Sequence, residues 1–97
     1  MPYVNGCALR AYAKYMALKN KNTKAEIHFK NSIIQFEEIS NKIEVANTLR
    51  DYGMFLKGLN RNDDGDKSIR KARDIYGSIN SRENYKICKG KMLKILS

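Results

Sequence analysis

The sequence predicts an all-α chain: five helices in antiparallel succession, arranged as two copies of a helix–turn–helix repeat and a terminal helix, a short α-solenoid. Three observations carry that prediction. Sliding the chain against itself by 40 residues brings Leu9 onto Leu49, Arg10 onto Arg50, Tyr12 onto Tyr52, Asn20 onto Asn60, Asn22 onto Asn62 and Ile39 onto Ile79, the mark of a repeated structural unit. Apolar positions recur at spacings of three and four, as in Ile43, Ala46, Leu49, Gly53 and Leu56, which is the period of a helix face and not of a strand. The only proline is Pro2, so no ring interrupts a helix in the interior.

The first helix is expected over 3–19. The second, over 24–39, opens at Thr23-Lys24-Ala25-Glu26, where a hydroxyl stands three residues before a glutamate and the two side chains can satisfy free amides at the helix start. Asn41-Lys42-Ile43-Glu44 has the same form and opens a third helix over 42–58. Asp63 or Asp64 caps a fourth over 64–78, with Ile69, Ala72, Tyr76 and Ile79 on one stripe. Ser81 caps a fifth over 82–96, which sets Tyr85, Cys88, Met92, Ile95 and Leu96 on one side and lysines towards the other. That stripe is expected to cover the open end of the second repeat, as the terminal units of solenoids must. The whole of 1–97 is then one domain, with a repeat over about 2–40, another over about 41–80 and the terminal helix over about 82–96.

Size class is kept across the offset: Ala13 falls on Gly53, Met16 on Leu56, Ala25 on Gly65, Phe29 on Ile69, Ser32 on Ala72 and Phe36 on Tyr76. The order of these residues resembles the tetratricopeptide repeat family. On the first helix of a repeat, Leu9, Tyr12-Ala13 and Met16, and again Leu49, Tyr52-Gly53 and Leu56, follow its large–small–large pattern; on the second, Ala25-Phe29-Ser32 and Gly65-Ile69-Ala72 do. The unit of 40 residues is longer than the usual one and lacks the family's proline at the repeat end, with Glu37 and Gly77 near that place. It is similar to the longer variant found in multidomain bacterial signalling proteins. The resemblance implies a protein-binding scaffold without catalytic apparatus, whose first helices line a concave face. By register that face holds Arg10, Lys14, Asn47, Arg50, Met54 and Lys57, together with Cys7, Ile87 and Lys94. The carboxylate clamp of related proteins is matched only in part: Lys14 and Asn47 fit it, whereas Ile87 and Gly90 stand where it needs bases.

A net charge of +9 calls for an acidic counterpart. With the resemblance, it points to an acidic peptide or partner domain held in a basic groove. The alternative is a nucleic-acid-binding helical module, against which the bases are spread over all five expected helices without a recognition-helix motif. No apolar run is long enough to span a bilayer and no signal-peptide pattern opens the chain, so a cytoplasmic setting is expected. Cys7 and Cys88 lie far apart and outside any C-x-x-C pair, which also fits a reducing compartment. Met1-Pro2 aligns with the start of the second repeat, suggesting a unit excised from a longer protein, and the open repeat ends suggest a homodimer.

Reactive constellations are absent from the pattern, and neither a cofactor nor a metal is expected. His28 is the single histidine, and Glu26, two residues away, lies off its helix face. Asp63-Asp64-Gly65-Asp66 starts like a calcium loop but has Asp74 where the bidentate glutamate belongs. No nucleophile elbow or phosphate-binding glycine loop occurs.

Overall fold

The computed structural model describes residues 1–79, and these form four α-helices: α1 (Pro2–Leu18), α2 (Asn22–Glu38), α3 (Lys42–Gly58) and α4 (Asn62–Ile79). Four corrects the expected five; the fifth segment, 82–96, its cap Ser81 and the face residues Ile87 and Lys94 lie outside the described residues. The all-α class stands. Helices start every 20 residues, so the 40-residue sequence period is one helical hairpin, α1–α2, followed by another, α3–α4.

The first three helices end in the same way. The residue after the helix cap is left-handed at Asn20 (φ 60°), Ser40 (φ 54°) and Asn60 (φ 63°). In the first turn the amide of Lys21 donates to the Met16 carbonyl at 2.9 Å and that of Asn20 to Ala17 at 3.1 Å. The second turn repeats this with Asn41 to Phe36 and Ser40 to Glu37, and the third with Arg61 to Leu56 and Asn60 to Lys57. This pair of bonds is the Schellman closure, which satisfies the last carbonyls of a helix through one left-handed residue. Asparagine tolerates that conformation because its short side chain bonds locally, which is why Asn20 and Asn60 mark turns in the sequence.

The closure also shifts two expected helix starts. α2 begins at Asn22 after Lys21 and α4 at Asn62, with Arg61 before it. Thr23, Asp63 and Asp64 therefore lie inside their helices and do not cap them, which corrects that expectation. Asp63 and Asp64 occupy the first turn of α4, where negative charge suits the helix dipole. Asn41 does cap α3, its side chain accepting from the Glu44 amide at 3.2 Å.

Packing follows the register. In the first hairpin Ala13, Met16, Ala25, Phe29, Ser32 and Phe36 are buried. Gly53, Leu56, Gly65 and Ala72 are the buried equivalents in the second. At the α3–α4 crossing the two glycines face one another: a Cβ on Gly53 would lie 2.7 Å from the Gly65 carbonyl oxygen, and one on Gly65 would lie 2.7 Å from that of Gly53. Two backbones in such contact leave no room for a side chain. Gly6, equivalent to Ala46, is buried as well; its carbonyl accepts from the Ser32 hydroxyl at 2.7 Å and Phe36 closes over it. The hairpins join where Phe29 of α2 enters between Tyr52 and Phe55 of α3, at ring-centroid distances of 5.7 and 5.4 Å. Aromatic pairs at such distances add to the stability that burial alone supplies.

Candidate partner-binding face

Long side chains link α1 to α3, and the six residues expected on the concave face lie on these two helices. The structure divides them into two kinds. Arg10 is mostly enclosed, with its side chain 18% exposed. Its Nη1 donates to Glu44 Oε1 and to Thr48 Oγ1, each at 3.1 Å, and its guanidinium lies over the Phe36 ring. Asn47 is held similarly: its amide donates to Glu44 at 2.9 Å and its oxygen accepts from the Tyr76 hydroxyl. These two residues tie helices together and are not free to grip a ligand.

Lys14, Arg50, Met54 and Lys57 form the exposed row. Asp51 stands between the first two, 2.9 Å from Lys14 Nζ and 3.6 Å from Arg50 Nε. Arg50 also donates to the Tyr76 hydroxyl at 3.4 Å, so Arg10 and Arg50 each meet the aromatic residue at the same place of their own hairpin. Lys57 pairs with Asp66 at 2.9 Å, and Met54 is 62% exposed. Every base of the row thus faces a carboxylate, and the face is one of alternating charge. An incoming carboxylate would exchange with Asp66, 52% exposed, at little cost, whereas Asp51 is only 17% exposed and would have to share Lys14 and Arg50 with it.

The carboxylates that hold the hairpins are electrostatically distinct. Glu44 is held below the ordinary carboxylate range chiefly by its hydrogen bond from Arg10, with partial burial opposing. Glu26 of α2 is lowered chiefly by the Tyr52 hydroxyl, which donates to it at 2.5 Å, and also by Arg61 at 3.1 Å. The Tyr52 phenol is in turn pushed well above its usual range by burial and by that carboxylate. These two acids latch α1 to α3 and α2 to α3 respectively. Periodicity could not reveal them, because each latch spans 26 to 37 positions of chain.

The remaining sequence candidates have structural surroundings. His28 Nδ1 lies 2.7 Å from the Lys24 carbonyl, one turn back, and its ring centroid lies 4.8 Å from that of Tyr12, the planes inclined by 56°. Cys7 donates to Glu44 at 4.0 Å. Asp64 pairs with Arg61 and Asp66 with Lys57. Among the described residues no group of three histidine, cysteine or acidic side chains converges as metal ligands would, and no helix is long and apolar enough to cross a membrane.

Over the described residues the chain is therefore an all-helical protein of two hairpins in one repeating register, joined by ionic and aromatic latches. No family model matches it, and neither does any curated protein or solved structure.

Proposed function

We propose that this chain is a non-catalytic scaffold of the tetratricopeptide kind, which binds an acidic peptide or partner domain along the face formed by α1 and α3. The observation that carries the reading is the exposed row of Lys14, Arg50, Met54 and Lys57, set across two helices whose spacing is fixed by the enclosed Arg10–Glu44 latch. Arg50 and Lys57, one turn to either side of the exposed Met54 on α3, with Lys14 on α1, suit a short acidic segment with an apolar residue, because charge orients the ligand while the methionine supplies adaptable apolar contact. Arg10 belongs to the support of this face and not to its contact surface.

The nucleic-acid reading has weaker geometric support. α4 carries Lys67, Arg70, Lys71 and Arg73, but also Asp63, Asp64, Asp66 and Asp74, so it presents no uniform basic stripe to a phosphate backbone. The experiment is selection of peptides from a random display library on the immobilised full chain. Recovered sequences rich in Asp and Glu with an interspersed apolar residue are expected; selection without an acidic bias would contradict the proposal.

A further inference from the structure

The exposed face of α1 carries the surface that α3 uses against α2. α3 seats on α2 through Tyr52 and Phe55, around Phe29, with the Tyr52 hydroxyl on Glu26 and Arg61 bridging to the same carboxylate. In the 40-residue register the matching positions on the first hairpin are Tyr12, Tyr15 and Lys21. Tyr12 is 47% and Tyr15 51% exposed. They present two adjacent aromatic rings, 6.2 Å apart, to solvent. Aromatic pairs of this kind are normally spent on an interface.

The complementary surface is on the same chain. At the places of Glu26 and Phe29 on α2, α4 carries Asp66 and Ile69. The ion pair between Lys14 and Asp51, which joins α1 to α3 at 2.9 Å, has the register equivalents Met54 and Ala11. Both ions are replaced by apolar groups together, so the two positions still suit one another although the chemistry between them changes, and Met54 is left 62% exposed in the isolated chain.

We propose that a second copy of this chain docks head to tail: α4 and Met54 of one copy seat on the α1 face of the next, continuing the solenoid in the register already used between α2 and α3. Asp66 receives the Tyr12 hydroxyl and Lys21 of its neighbour, as Glu26 receives Tyr52 and Arg61; Ile69 meets Tyr15, and Met54 meets Ala11. The contact is heterologous, and among the described residues each copy leaves one face of each kind exposed, so association does not stop at a dimer. This inference does not depend on the acidic-partner reading.

Sedimentation velocity of the full 97-residue chain tests it, with two variants at exposed positions, Tyr12→Asp and Met54→Asp, whose helicity is checked by circular dichroism. Wild type is expected to grow beyond dimer mass as concentration rises. Each variant alone, blocked at one end, is expected to remain monomeric. An equimolar mixture leaves one intact end of each kind and should yield a species of dimer mass that grows no further, because the two remaining ends would set one introduced aspartate against the other. Wild type that stays monomeric at every concentration overturns the proposal, and is the result if segment 82–96 of the same chain takes that seat instead. A dimer that survives Met54→Asp but not Tyr12→Asp also overturns it, being the result of two α1 faces meeting each other.

Discussion

Single atoms decide how closely the second hairpin closes. Gly53→Ala sets a methyl group against the Gly65 carbonyl and the Ile69 side chain, and only a backbone shift relieves it. A loss on the order of 1–3 kcal/mol is expected. A methyl group on Gly58 would meet no atom within 4 Å, so Gly58→Ala should be neutral or raise stability by up to about 1 kcal/mol through the unfolded state. Urea midpoints of the two variants measure the difference, and equal shifts would contradict the glycine–glycine crossing. The need for small residues at Ala13, Gly53, Ala25 and Gly65 was legible because the repeat preserved size class. Gly6 was not, since its requirement comes from Phe36 and Ser32, far away in the chain. Ser40 is the reverse case, a left-handed residue that no turn signal announces. Ser40→Gly should raise stability by about 0.5 kcal/mol or more, as strain at a positive φ is relieved at some cost in chain entropy; a lower thermal midpoint would contradict the turn assigned there.

At the scale of the helix, boundaries were readable within two residues and the reasons for two starts were not. Thr23 and Asp63 have capping chemistry, but the Schellman turns deliver the chain into α2 and α4 before it can act. Only at Asn41 do turn and cap coincide. Asn41→Ala should therefore cost about 1 kcal/mol, whereas Thr23→Ala should cost a few tenths or nothing, which thermal midpoints can compare. The latches between helices have their own signature in pH. Glu26 and Glu44 are depressed in the folded chain, so the unfolded chain binds protons more readily at both. Their stabilisation is complete above the ordinary glutamate pKa of about 4.3 and is lost as pH falls through the lower folded values. Tyr52→Phe removes the main cause of the Glu26 shift. The gap in stability between wild type and this variant should narrow on acidification below that range, as urea titrations at a series of pH values would show. A gap that widened would contradict the latch.

For the whole molecule, the repeat was legible because it is written in residue identity, and the helix class because it is written in periodicity. What one chain read alone could not show was the charge pairing across the α1–α3 face. Lys14 and Arg50 look like a basic groove in sequence, yet both meet Asp51, and Lys57 meets Asp66; Asp51 adjoins Arg50 in the chain, and the fold carries it to Lys14 and Asp66 to Lys57. The net charge of +9 is therefore a poor guide to the character of this face, and location must be separated from total charge. Arg50→Glu and Lys71→Glu change the charge equally. Arg50 lies in the exposed row, while Lys71 is turned roughly 140° around α4 from Tyr76, the residue that meets Arg50. The decisive measurement is the affinity of both variants, by calorimetry at physiological salt, for an acidic peptide selected on wild type. The α1–α3 face predicts a loss of about tenfold for Arg50→Glu, equivalent to about 1.4 kcal/mol, and little change for Lys71→Glu. Equal losses at the two positions would contradict it and assign the binding to diffuse charge.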